Sequence, residues 1–134
     1  MTRQRRAILS AFERAGRPLS PREVETAVRE GGETSINLAT VYRNLKSMTE
    51  AGQIVAVEVL GQAGRYEVAG LGHHHHFHCS RCDRVFDLPA CPSNTLHHLA
   101  PKGFEVEDHE VQLTGRCDAC RRASGSKSKR SRVV

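Results

Sequence analysis

The sequence predicts two unlike parts. Residues 1–69 read as a winged helix-turn-helix, mainly α with a β wing, and residues 73–120 as a smaller α+β part, with a hinge at 70–72 and a basic tail at 121–134. Three observations carry this. Three short helical repeats are followed by a hairpin signal. All eight histidines and all five cysteines lie at or after His73. Charge is also split: residues 1–72 hold ten Lys/Arg against eight Asp/Glu, residues 73–120 four against seven, and the last fourteen residues six against none. A mildly basic half joined to an acidic one fits a nucleic-acid-binding part beside a part with another task.

The first helix is predicted in RQRRAILSAFERAG. Ile8, Leu9 and Phe12, with Ala11 and Ala15, recur at helical spacing, and Gly16 ends the run. In SPREVETAVREGG, Ser20 suits the N-cap, Pro21 the first helical position and Glu23 a capping box. Val24, Ala27 and Val28 form the apolar face, and Gly31 and Gly32 stop the helix. In NLATVYRNLKSMTEAG, Leu38, Val41, Leu45 and Met48 form one stripe, and Gly52 closes the element. QIVAVEVLGQAGRYEV then reads as a hairpin with GQAG as its turn and a short second arm, RYEV. In a winged helix the third helix enters the major groove, and Thr40, Tyr42, Arg43 and Asn44 offer the polar groups that it needs. A solvated face of an ordinary amphipathic helix explains the same pattern equally well.

Composition changes after AGLG. RVFDL reads as a strand, SNTLHHLAPKG as a short helix, and FEVEDHEVQLTGRC as one or two strands. From Arg121 the chain is rich in Lys, Arg, Ser and Gly and reads as disordered. No apolar run approaches 18 residues, so no membrane span is expected. The start shows no signal-peptide pattern. A cytoplasm that keeps thiols reduced is the expected compartment, which favours metal binding over disulfides at paired CxxC motifs.

Those pairs are the strongest signal. Cys79-x-x-Cys82 and Cys117-x-x-Cys120 can each turn two sulfurs toward one ion, and two such knuckles complete a tetrahedron suited to structural Zn(II). A closed four-thiolate site staples the ends of a half too small to hold itself together. Cys91 is left over and reads as an inert thiol. The run HHHHFH is internal and broken by Phe77, unlike an expression tag. In an extended segment His74 and His76 point to one side, His73 and His75 to the other. Glu67, Asp87 and His109 are candidate partners, and a His/carboxylate shell suits a second divalent metal: Fe(II), Mn(II) or Zn(II).

In this order, TRQR, LATVYRNLKSMTEAG, RYEV, HHHHFHCSRC, RVFDL and CDAC resemble the ferric uptake regulator family, over about Thr2 to Cys120. The resemblance implies an N-terminal winged helix, a C-terminal α/β dimerisation domain, and a homodimeric repressor that binds a palindromic operator on double-stranded DNA when metal-loaded. It assigns structural zinc to Cys79, Cys82, Cys117 and Cys120. Glu67, His74, His76 and Asp87 match a sensing site between the two halves. His73, His75 and His109 match an additional metal site, and Tyr42 matches the recognition-helix tyrosine. The chain departs from the family pattern in three places. Pro18 stands where many members have a histidine, and a helix that many relatives carry ahead of TRQR is missing. No carboxylate lies around Pro92–Asn94 for the additional site, and His97 is the substitute named here. Asp87 resembles the peroxide-sensing branch and Glu67 the iron branch, so the reading leans to Fe(II) or Mn(II), with a peroxide link and a Zn(II)-sensing alternative open.

The function expected is therefore regulation rather than catalysis. A zinc hydrolase needs an open metal position and a poised base, and nothing here resembles HExxH. A thiol redox switch and a metal-buffering protein without DNA binding are the other rivals.

Overall fold

Thr2 caps the first helix of the computed structural model, which describes residues 2–124. Its side chain accepts from the Arg5 backbone N–H at 3.1 Å, and α1 runs Arg3–Ala15 to a left-handed Gly16 at φ 64°. The capping box predicted for the second helix is present. Ser20 Oγ accepts from Glu23 N at 3.2 Å, Glu23 Oε1 accepts from Ser20 N at 2.9 Å, and α2 spans Pro21–Glu30. Helix α3, Leu38–Glu50, starts at Asn37, whose Oδ1 accepts from Thr40 N at 2.9 Å.

The chain divides into two units, one ending at His74 and the other beginning at His75. In the first, Ile8, Phe12, Leu19, Val24, Val28, Ile36, Val41, Leu45, Met48 and Ile54 form one continuous core. Leu38 lies only half-buried and Ile36, outside the helix, takes its place in that core. Thr40, expected on the outward face, is buried at 8% exposure.

The hairpin pairs β1, Ile54–Val59, with β2, Gln62–Val68, in antiparallel register. The second arm is therefore longer than RYEV and the turn is not GQAG. Val59 faces Gln62, so Leu60-Gly61 is the two-residue loop, with φ 54° and 76°. Two successive positive φ values match the right-handed twist of the strands, and the sequence signal was displaced by two residues. A second tie anchors β2 to the α1–α2 turn: Leu19 N donates to Tyr66 O at 2.8 Å and Tyr66 N to Leu19 O at 2.9 Å. Leu60 is half exposed and pays the left-handed penalty, roughly 1–2 kcal/mol for a residue with a Cβ. Leu60→Asn should recover part of that cost. At roughly 4–8 °C per kcal/mol for a unit of this size, calorimetry should record a raised melting temperature. An unchanged or lowered one would show that the Leu60 side chain contributes packing that outweighs the strain.

The second unit holds a three-stranded sheet of order β4-β3-β5. Strand β3, His76–Cys79, runs antiparallel to β4, Val85–Asp87, and parallel to β5, Gln112–Gly115. A short α4, Ser93–His97, lies between β4 and β5, and α5, Asp118–Ser124, follows. FEVEDHEVQLTG thus yields one strand only; Phe104–Val111 has no ladder partner among the described residues. Residues 121–124, read from composition as the start of a disordered tail, are helical. Asp118 in the first turn of α5 accepts from Arg122 Nε at 3.0 Å, which suits the helix dipole and the i,i+4 spacing. The rest of the predicted tail, 125–134, lies outside the described residues. No helix among the described residues is long and apolar enough to cross a membrane.

Candidate metal centres and DNA-facing helix

Two local turns bring the four paired cysteines together. Cys79 ends β3, and the chain reverses through Ser80-Arg81-Cys82: Asp83 N donates to Cys79 O at 2.9 Å, and Ser80 N donates to Gly115 O at 2.7 Å. Cys117 and Cys120 stand three apart at the start of α5, a spacing that puts both on one side of a helical turn. Parallel pairing of Cys79 with Gly115 brings that turn alongside the first.

The four Sγ atoms all lie within 4.8 Å of one another, and Cys82 Sγ sits 3.8 Å from Cys117 Sγ. A tetrahedral ion with sulfur at about 2.3 Å has edges of about 3.8 Å, so the donor set fits zinc in number, type and spacing. Electrostatics agrees. Burial pushes the Cys79 thiol up, but the N–H groups of Cys82, Cys117 and Arg81 outweigh it and draw the thiol down to about 5. Burial pushes Cys120 up to about 12, reinforced by its hydrogen bonds to Cys117, Cys79 and Cys82. Burial also raises Cys82. Four adjacent sulfurs cannot all ionise without a cation among them, and a divalent ion removes that conflict.

The residues predicted for a sensing site form two pairs, one in each unit. In the first, His74 Nε2 lies 2.8 Å from Glu67 Oε2, and His74 Nδ1 lies 2.8 Å from Gly72 O. Glu67 and Arg65 are buried on one face of β2, while Tyr66 and Val68 on the other face pack on the core. In the second, His76 faces Asp87 across the β3–β4 ladder, with Nε2 3.4 Å from Oδ1.

Two further histidines, His75 and His109, flank a residue that the sequence reading set aside. Cys91 Sγ lies 3.3 Å from His75 Nε2 and 3.0 Å from His109 Nε2. His97 Nε2 meets His109 Nδ1, the other ring nitrogen, at 3.3 Å. His97, named as a substitute ligand, therefore backs His109 rather than standing beside it around one centre. His73 lies exposed at the end of the first unit. The one signal for Cys91 was its type: a fifth, unpaired thiol in the half that holds every histidine.

On α3 the exposed positions are Ala39, Tyr42, Arg43, Lys46 and, at the helix end, Glu50, at helical spacing. Tyr42 is 53% exposed. Of the residues predicted for DNA contact, Tyr42 and Arg43 face out and Asn44 is half-buried. Thr40 is turned inward, where its Oγ1 accepts from Arg43 and its carbonyl accepts from Asn44 Nδ2 at 2.9 Å.

The profile of the Ferric uptake regulator family matches residues 1–114. A ferric uptake regulation protein of Campylobacter jejuni is 28% identical over 123 residues, which are 89% of this chain and 78% of that one. The Helicobacter pylori ferric uptake regulator, whose structure is described as revealing three functional metal binding sites, aligns with a TM-score of 0.65 and 26% identity over 90% of this chain and 81% of its own. A zinc-bound manganese uptake regulator aligns with a TM-score of 0.76 and 27% identity over 87% and 89%.

Proposed function

The chain belongs to the ferric uptake regulator family, and from that premise we propose that it is a homodimeric repressor whose reach on a palindromic operator is set by a metal at Glu67, His74, His76 and Asp87. As a member it is a metal-responsive transcriptional regulator with a zinc-type four-cysteine centre and a second divalent-metal centre. The observation that carries the finer reading is the pairing of donors on each side of one residue. His74 is already held against Glu67 in the first unit, His76 against Asp87 in the second, and only His75 separates them. An ion taken by both would restrict the link between a winged-helix reading head and a dimerisation half.

Two imidazoles and two carboxylates without sulfur suit Fe(II) or Mn(II), and the same donors accept Zn(II). The α3 face supports the DNA part: Arg43 and Lys46 for phosphate or guanine, Tyr42 for phosphate, and Ala39 for a thymine methyl group. Action on DNA in the cytoplasm follows from that reading. The residues proposed for the additional metal site are His73, His75 and His109, with His97 behind them.

The test is binding of the zinc-loaded protein to its own promoter, followed by anisotropy with and without Fe(II), Mn(II) or Zn(II). A coupling of about 1–3 kcal/mol raises affinity roughly 5–150-fold. Equal affinity in the presence and absence of every metal would defeat the proposal. A gain with zinc alone would move the chain to the zinc-sensing reading.

A further inference from the structure

Three potential ligands, His75, Cys91 and His109, belong to the second unit. Cys91 Sγ stands between two imidazole nitrogens, His75 Nε2 at 3.3 Å and His109 Nε2 at 3.0 Å. The two rings tilt toward each other with centroids 5.0 Å apart. Each ring is also held from behind: His109 Nδ1 by His97 Nε2 at 3.3 Å, and His75 Nδ1 by the Val111 N–H at 3.0 Å. His75 is 1% exposed, whereas Cys91 is exposed. A fixed inner wall and an open outer side describe a site that an ion can enter from solvent.

We infer that Cys91 is a thiolate ligand, completing with His75 and His109 a two-nitrogen, one-sulfur centre for a soft divalent cation of the zinc type. The inference rests on reading this cluster as a metal site, and it changes the class of metal that the site takes. Sulfur favours Zn(II) or Co(II) over Mn(II), and Fe(II) also loses by comparison with the oxygen-rich donors at Glu67 and Asp87. The two centres on the His73–His76 run therefore prefer different ions. His97 is a positioning residue here, fixing the tautomer of His109 so that Nε2 keeps its lone pair for the ion. His75 has a cost to meet. Ligation through Nε2 requires a proton on Nδ1, so the ion trades away the Val111–His75 hydrogen bond, and occupancy is felt by the segment leading into β5.

Cobalt reads this out without any DNA-binding assay. Reduced full-length protein, its four-cysteine centre loaded with zinc, is titrated with Co(II). The wild type should develop a sulfur-to-cobalt charge-transfer band together with the visible bands of a four-coordinate ion. Cys91→Ser should remove the charge-transfer band and weaken cobalt binding by at least the roughly 10–100-fold seen when a supporting residue is lost, while His74→Ala should leave the band in place. A band that persists in Cys91→Ser overturns the inference. Visible bands lost in His75→Ala and His109→Ala but kept in Cys91→Ser would also overturn it, leaving a metal site without sulfur. A cobalt spectrum untouched by all three substitutions removes the metal site itself. Should Cys91→Ser fail to fold, alkylation of Cys91 in the wild type decides: zinc beyond the first equivalent must slow it, and an unchanged rate counts against ligation.

Discussion

Cys79→Ser should leave a protein whose first unit is folded and whose second is not. The reason lies in where the two units keep their apolar surface. From His75 onward, the buried apolar side chains among the described residues are Val85 and the two cysteines Cys79 and Cys117. A three-stranded sheet with strands of four, three and four residues cannot stand on that. A structural zinc centre provides an apparent binding free energy of about 10–16 kcal/mol at neutral pH, as large as the whole stability of an ordinary domain at about 5–15 kcal/mol. Cys79 is the most deeply placed of the four and receives the N–H groups of both Cys82 and Cys117. Its loss removes a ligand and the anchor of both turns. Metal analysis should find the zinc gone. Limited proteolysis should cut within residues 75–124 while α1–α3 survive, because the first unit has its own core. Cys120→Ser should give the same pattern. A zinc-free Cys79→Ser protein that resists protease as the wild type does would show that the sheet holds itself, and the staple would then be incidental.

Much of this was legible beforehand, for reasons that differ by residue. The capping box at Ser20 and Glu23 is local chemistry that no tertiary contact needed to correct. The CxxC pairs were legible because metal geometry demands that spacing. Thr40 was not: it is buried at 8% exposure beside Val41, although its residue type suits a solvated face. The hairpin turn was missed because Gly61 and Gly64 offer two equally good signals, and the Leu19–Tyr66 bridge, which extends β2's constraints to the helices, is a long-range contact. Cys91 shows the same limit at the site. Its partners lie 16 and 18 residues away, one on each side, and no spacing rule joins them. Residue type alone pointed to it.

Glu67→Gln should abolish the metal-dependent gain in operator affinity while leaving metal-free affinity where it was. Glu67 is 4% exposed and holds His74 at 2.8 Å, so two readings compete. In one, the carboxylate and imidazole are simply a buried pair that stabilises the end of the hairpin. Glutamine then lowers the melting temperature, and metal still raises DNA affinity. In the other, Glu67 is the ligand that connects an ion to the reading head, and glutamine keeps the shape and the hydrogen bond but loses the charge that a hard cation needs. Asp87→Asn provides the partner substitution in the second unit. Each single change should remove most of a coupling of about 1–3 kcal/mol, and the double change should be no worse than either alone, because both break one circuit. Additive losses would mean two independent contributions instead of one shared ion. If Glu67→Gln keeps the full gain while His76→Ala loses it, the ion resides in the second unit alone and does not tether the two; the signal would then have to reach DNA through the dimer.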